Sequence, residues 1–328
     1  MSRAVKGAAL AGLAVGTGAV VWLGAGRIFG AIGRIGWMGL GWVLAWQLAM
    51  FVAQGLAWRI VCPEARLSVM VWGRLVREGG VTCLPFSGIG GLAFGARALM
   101  LGGVGFGRAA ASTVIDVVAE GIGLAPFLVY GLVVLLAREP GSSLAAPMAA
   151  GIGALLLGGA AAFALRRRLA ALLRAATALL LKKGFRTAAG RARELNCELE
   201  ALFLRRGRIT WASLAHVLCW CGGAGNVWIG YHLLGAKPGL AEAMAMESLF
   251  SGALSVGFMV PGGFGVQELA YIGVGRLFGM PSALSLALSL IRRARDLIVG
   301  APALAAWQFL EARRLEASSA SASARNRD

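Results

Sequence analysis

The sequence has few charged residues for its length. Only 14% of its 328 residues are charged and 58% are hydrophobic, whereas a soluble domain carries about a quarter charged residues. This composition excludes an ordinary soluble globular protein. We therefore expect an all-α polytopic membrane protein.

Acidic residues are the scarcer charge, with 15 acidic against 32 basic residues and a net charge of +17. The basic residues gather at the ends of apolar stretches and in one segment, not in a soluble domain, so we expect no nucleic acid as a partner. Residues 166–208 hold twelve Lys or Arg against three Glu, which by the positive-inside rule predicts a cytoplasmic loop. A solvated basic loop is the first interpretation, and binding of anionic lipid is the alternative.

Cysteine and histidine are also scarce. The five cysteines and two histidines show no metal-ligand spacing, and Cys219 and Cys221 point to different faces of one helix. We predict no metal and no cofactor. His216 and His232 are separated by roughly 24 Å along one helix, so we expect each to be a packed or interfacial residue.

Long uncharged stretches are present instead, and each reaches the roughly 20 residues that a helix needs to cross a bilayer. A further helix is expected at about 108–137. We predict about six to eight membrane helices in total, with both termini in the cytoplasm. The uncharged stretches are 7–26, 35–58, 141–165 and 209–236.

Two apolar segments contain proline and clustered glycine, which suit a straight spanning helix poorly. Residues 79–96 contain Pro85 and six glycines. Residues 248–279 contain Pro261 within the sequence "VPGGFGVQELAY". We expect each segment to enter the membrane and return to the same side as a re-entrant helical hairpin. The proposed hinge residues are Pro85, Pro261, Gly262, Gly263 and Gly265.

A shift of 176 positions superposes these two segments without a gap, so that Pro85 falls on Pro261 and Pro126 on Pro302. An odd number of spanning helices separates them, which predicts an inverted repeat. We expect one membrane domain at 1–315 and a disordered tail at 316–328. The first repeat is predicted at about 60–137 and the second at about 240–312.

Charged residues occur inside the apolar segments, where each costs about 2.5–3.5 kcal/mol unless it is paired or hydrated. Asp116 and Glu120 lie one helical turn apart, as do Arg292 and Asp296. We expect Asp116 and Glu120 to pair across the repeat axis with Arg292, Arg293 and Arg295, leaving an arginine for an anionic group. A closed ion network with a purely structural role is the alternative.

Glu268 follows the glycine-rich break and has two interpretations. It caps the helix that begins there, or it handles a proton or a substrate. Glu78 and Glu247 precede the two hairpins, and we expect them at the membrane interfaces.

The run from 260 to 308, with its element "PGGFGVQE", resembles the carboxy-terminal part of the flippase-like lysylphosphatidylglycerol-synthase transmembrane family. The stretches "RLVREGGVTCLPFSGIGGLAFGARALMLGG" (74–103) and "SLIRRARDL" (289–297) resemble the HpnL-type group of membrane proteins associated with hopanoid biosynthesis. The resemblance covers nearly the whole chain and implies a re-entrant fold in the bacterial inner membrane. The functional residues that it implies are Pro261, Gly262, Gly263, Gly265, Glu268, Arg292, Arg293, Arg295 and Asp296.

The resemblance also implies a role. The expected activity is movement of a lipid, a hopanoid or an anionic phospholipid, between leaflets, and not enzymatic catalysis, because we find no appended aminoacyl-transferase domain. The alternatives are a membrane enzyme that modifies a lipid and a non-catalytic organiser of lipid-biosynthesis enzymes. Besides membrane lipids, a second copy of the chain and those enzymes are the candidate partners.

Overall fold

The computed structural model describes residues 3–83, 88–142, 145–182, 186–256 and 265–325. Within these ranges the chain is helical and contains no strand. Four of the predicted hinge residues, Pro85, Pro261, Gly262 and Gly263, lie outside the described residues. The helices are α1 (Arg3–Val61), α2 (Leu67–Cys83), α3 (Gly88–Leu101), α4 (Phe106–Arg138), α5 (Ala145–Lys182), α6 (Arg186–Leu204), α7 (Arg206–Leu233), α8 (Leu240–Val256), α9 (Val266–Leu277) and α10 (Ser282–Arg325).

The apolar stretches of the sequence lie in the long helices. Among the described residues, Gly26–Val61 of α1 and Phe106–Arg138 of α4 are long and apolar enough to cross a membrane. Helix α1 is interrupted at Gly36, whose φ of 69° and ψ of 170° are not helical. The predicted stretches at 141–165 and 209–236 lie largely within α5 and α7.

The outer surface of the bundle is apolar over much of its area. Trp37, Met38, Leu157 and Leu218 are each more than 70% exposed. Side chains of this size rarely stay exposed to water in such numbers. A hydrocarbon environment around the helices accounts for them.

The same backbone turn occurs at equivalent positions of the two predicted repeats. Gly103 and Gly279, which are 176 residues apart, have positive φ values of 92° and 71°. Helices α4 and α10 then begin 176 residues apart. In both turns the next amide bonds to the carbonyl five residues earlier, Val104 N to Leu99 O at 3.1 Å and Met280 N to Gly275 O at 2.9 Å.

Helix packing follows the same correspondence. Helix α2 packs against α3, α1 and α10, and its counterpart α8 packs against α9, α7 and α4. Helix α3 contacts α4 as α9 contacts α10, while α1 and α7 pack against each other. Each of these contacts therefore has an equivalent in the other half of the chain. In this correspondence α1, α2, α3 and α4 match α7, α8, α9 and α10 in order.

Contacts at the helix ends show that α4 and α10 run in opposite directions. Near the start of α4, Arg97 of α3 forms an ion pair with Glu311 of α10. At the other end of α4, Arg138 pairs with Glu242 at 2.6 Å and lies 4.6 Å above the ring of Phe278, just before α10 begins. The amino terminus of α4 thus lies near the carboxy-terminal part of α10, and the amino terminus of α10 lies near the carboxy terminus of α4.

Helices α2 and α10 cross at two glycines. A Cβ atom added to Gly79 would lie 2.5 Å from the carbonyl oxygen of Gly300, and one added to Gly300 would lie 3.0 Å from the Cα of Gly79. The backbones are therefore in direct contact. This crossing brings the residues before Gly79 close to those before Gly300.

The segment 166–208, predicted as a loop, is helical where the structure describes it, in α5, α6 and the start of α7. Helix α6 is attached to the start of α4, because Glu194 Oε1 accepts a hydrogen bond from Gly107 N at 2.9 Å and Glu198 pairs with Arg108 at 3.0 Å. Helix α10 also continues as far as Arg325, although the sequence predicted a disordered tail from residue 316.

Candidate functional site

Two groups of charged side chains lie inside the bundle. We define the first network as residues of α2, α4 and α7, and the second network as residues of α8, α9 and α10. The first network consists of Arg74, Arg77, Asp116, Glu120 and His216. The second network consists of Glu247, Glu268, Tyr271, Arg292, Arg293, Arg295 and Asp296.

In the first network two arginines of α2 face two carboxylates of α4. Arg74 donates from Nη1 to Glu120 Oε2 at 2.9 Å and from Nε to Gln54 Oε1 of α1 at 2.9 Å. Arg77 donates to Glu120 Oε2 at 2.7 Å and to Asp116 Oδ2 at 3.2 Å. The four formal charges cancel, which is what a low-dielectric environment requires.

His216 of α7 completes this network. Its Nε2 lies 3.0 Å from Asp116 Oδ1, and the two side chains are 1% and 0% exposed. The indole of Trp220, one turn further along α7, donates to the backbone carbonyl of Glu120 at 3.2 Å. His216 is thus a packed residue, one of the two expected alternatives, but its partner Asp116 was not predicted, because a residue 100 positions away cannot be recognised from spacing along α7.

In the second network Arg292 of α10 is held by α8 and α9. Its Nη1 donates to both oxygens of Glu247, at 2.9 and 2.8 Å, and to the hydroxyl of Tyr271 at 2.7 Å. The ring of Tyr271 stacks on Phe250 of α8 with centroids 3.8 Å apart. Glu247 is only 3% exposed, so its predicted interfacial position was wrong.

Glu268 has two partners, and the first of them is the helix cap that was one of its two predicted roles. Its Oε2 accepts a hydrogen bond from Gly265 N at 2.8 Å, which caps the start of α9. Its Oε1 lies 3.0 Å from Arg293 Nη2. Gly265 has a φ of 80°, a conformation that favours glycine, and it is the one predicted hinge residue that the structure describes.

The remaining pair of the second network is Arg295 and Asp296, adjacent residues joined at 2.8 and 2.6 Å. Arg295 is 4% exposed. Half-buried Glu78 of α2, next to the crossing at Gly79, interacts electrostatically with Arg74 and Arg77 and also with Asp296. Glu78 thereby connects the two networks through the α2–α10 contact.

Pairing across the repeat axis was predicted and is corrected by these contacts. Each network neutralises its own formal charge, since Asp116 and Glu120 pair with arginines of α2 and not with those of α10. The prediction failed because Arg74 and Arg77 precede the first glycine-rich segment, a context that resembles a loop, while Glu78 and Glu247 were expected at the membrane interfaces. Folding α2 and α8 into the bundle carries all four of these side chains inward.

Comparison with known families settles the class of protein. A family model described as the lysylphosphatidylglycerol synthase TM region matches residues 9–303. The chain belongs to this family. The match spans every residue of both networks and confirms the family predicted from the sequence. No curated protein and no solved structure matches the chain.

As a member of the lysylphosphatidylglycerol synthase TM family, the chain is a membrane protein of lipid-related processes. Its helical structure and apolar helices agree with the predicted all-α membrane fold. Among the described residues, no group of three or more His, Cys, Asp or Glu has the geometry to hold a metal ion. The side-chain groups that the described residues bring together in the two networks are guanidinium, carboxylate, imidazole and phenol groups.

Proposed function

We propose that the protein moves a lipid, a hopanoid or an anionic phospholipid, between the leaflets of the bacterial inner membrane. The observation that carries this proposal is the pair of buried ion networks, one formed by α2, α4 and α7 and the other by α8, α9 and α10. Charge inside a membrane protein is retained where it has a function or faces a polar cavity. A lipid headgroup that crosses the membrane needs such polar groups along its way.

We also propose that the two halves form an inverted repeat with re-entrant hairpins. The hairpin helices α2, α3, α8 and α9 have 17, 14, 17 and 12 residues, fewer than the roughly 20 needed to span the hydrocarbon core. The opposite directions of α4 and α10 support hairpins that open at opposite ends of the bundle. This is an architecture in which transporters bind substrates near the midplane.

The depth of the networks supports this location. Asp116 and Arg292 each lie ten residues into a long helix, which at 1.5 Å per residue is about 15 Å. The hydrocarbon core is about 30 Å thick. The two networks therefore lie near the middle of the membrane, each reached from a different side.

The geometry around Glu268 suggests how an anionic headgroup is bound. Its carboxylate bridges an amide at the start of α9 and the guanidinium of Arg293. Helix amino termini and arginines are the groups that bind phosphate in proteins. A phosphodiester headgroup that displaces the Glu268 carboxylate would therefore meet the same two donors. Movement of the hairpins about their hinges would then expose the bound headgroup to the other leaflet.

The orientation follows from the basic segment. Helix α6 is attached at the start of α4, close to the end of α10 that holds Glu311. The positive-inside rule places basic segments in the cytoplasm. We therefore propose that this end of the bundle and both termini face the cytoplasm.

Reconstitution into liposomes with a fluorescent phosphatidylglycerol in the inner leaflet tests the proposal. Arg292→Ala removes a cation that makes charge-assisted hydrogen bonds worth about 1.5–3 kcal/mol each, so translocation should slow about tenfold or more. Arg138→Ala, which breaks an exposed ion pair to Glu242, is the matched control and should translocate normally. Equal rates in Arg292→Ala and the unmodified protein would falsify the site assignment.

A second measurement examines binding. Glu268→Gln keeps a cap for Gly265 but removes the negative charge that competes for Arg293, so dioctanoyl phosphatidylglycerol should bind about tenfold more tightly. Weaker or unchanged binding would contradict the displacement of Glu268. If the reconstituted protein moves no lipid but changes the mass of one, a lipid-modifying enzyme is the better assignment.

A further inference from the structure

His216 lies inside the buried charge of the molecule, unlike the other histidine. The chain has two histidines, and His232 lies near the end of α7, where Nδ1 is 2.8 Å from the carbonyl oxygen of Trp228. His216 instead faces Asp116 at 3.0 Å, with both side chains buried. An imidazole is the side chain whose ordinary titration lies near neutral pH.

Polar and charged groups of several helices surround the His216–Asp116 pair. Helix α4 contributes two carboxylates, α2 two guanidiniums and a carboxylate, α1 an amide and α7 a thiol. These groups are Asp116, Glu120, Arg74, Arg77, Glu78, Gln54 and Cys219. Glu247 of α8 lies further along α7, beside Gly223.

Each of the two networks is neutral in formal charge. The first contains two arginines and two carboxylates, and the second contains three of each. Since net charge in a low-dielectric interior is costly, a further anion that enters this cluster requires a compensating cation.

We propose that His216 binds one proton with each anionic headgroup, so that lipid and proton cross the membrane together. The inference rests on the proposed function. A singly charged phosphodiester that takes an arginine from its carboxylate adds one negative charge to the cluster. A proton taken up by the His216–Asp116 pair restores the previous total. The lipid anion and the proton together carry no net charge. A pH difference across the membrane therefore drives their joint transport, and a membrane voltage does not.

Proteoliposomes with a pH difference of one unit and fluorescent phosphatidylglycerol in both leaflets test this coupling. One proton per lipid corresponds to about a tenfold difference in lipid concentration between leaflets at equilibrium. His216→Gln retains an amide that can donate to Asp116 but cannot take up a proton. Any lipid that this variant moves should reach equal concentrations in the two leaflets.

The chain offers a matched control in His232→Gln, the same change on the same helix outside the networks. It should show the tenfold asymmetry of the unmodified protein, while protein-free vesicles should show none. Equal leaflet concentrations with the unmodified protein, or a retained asymmetry in His216→Gln, overturn the inference and leave the proposed function standing. Absence of any lipid movement with the unmodified protein refutes the proposed function, and this inference with it.

A second measurement does not depend on the folding of His216→Gln. In protein labelled with ¹⁵N-histidine, His232→Gln identifies the His216 signals, because only two histidines are present. Dioctanoyl phosphatidylglycerol should convert the His216 imidazole to its protonated form, and dioctanoyl phosphatidylcholine should not. Bound phosphatidylglycerol with an unchanged His216 signal overturns the inference, as does an equal response to inorganic phosphate, which would indicate a site for free phosphate.

Discussion

At the scale of single residues, the sequence identifies which charges are buried but not which charges they face. Asp116, Glu120 and Arg292 stand out because each interrupts an apolar segment. Their partners are found only in the folded chain, since Arg74 and Glu247 lie in sequence contexts that resemble loops and membrane interfaces. The pairing depends on how α2 and α8 fold back, and one sequence carries no direct signal for that.

The first network should be essential for stability. Arg74 is 5% exposed in its side chain and binds Glu120 and Gln54, so Arg74→Ala leaves a buried carboxylate less compensated. Breaking a buried ion pair costs about 3–5 kcal/mol. Thermal unfolding in detergent should show this loss, whereas Arg138→Ala, with both partners of its ion pair partly exposed, should lose less than about 1 kcal/mol. Equal losses of stability in Arg74→Ala and Arg138→Ala would contradict a special role of the buried network.

At the scale of helices, the 176-residue shift predicts equivalent helix starts, and α4 and α10 have them. A positive-φ glycine lies three residues before each of these two helices, because this tight turn requires a left-handed conformation. Helix α6 was missed as an ordered element. Its polar composition suits a solvated segment, and only its contacts with Gly107 and Arg108 show that it is attached to the bundle.

The crossing of α2 and α10 should tolerate no side chain. Gly79→Ala places a Cβ 2.5 Å from the carbonyl oxygen of Gly300, and overpacking of this kind typically costs about 1–3 kcal/mol. Gly190→Ala on α6 is the matched control, because nothing lies within 4 Å of its Cβ position. It should stabilise the helix by about 0.5–1 kcal/mol. Midpoints of thermal unfolding that move in the same direction for both variants would argue against direct backbone contact.

At the scale of the whole molecule, each half provides part of one charged cluster. The first half contributes Arg74 and Arg77 with Asp116 and Glu120, and the second half contributes three arginines of α10 with carboxylates of α8, α9 and α10. Glu78 lies where the halves cross. Because both halves meet at this crossing, the proposed movement of one hairpin would change the electrostatic environment of the other. Alternating access from the two sides of the membrane requires such a coupling.

The proposed orientation predicts where a thiol reagent reaches the protein. Cys197 of α6 is exposed and native, and Gly141→Cys adds a thiol at an open position beyond the far end of α4. A membrane-impermeant maleimide should label Cys197 in inside-out vesicles and Gly141→Cys in right-side-out vesicles. Cys62 should remain unlabelled in both, because burial raises the pKa of its thiol to about 12 and leaves almost no thiolate to react. Labelling of Cys197 and Gly141→Cys from the same side would place the two ends of α4 on one face of the membrane, and α4 would then not be a spanning helix.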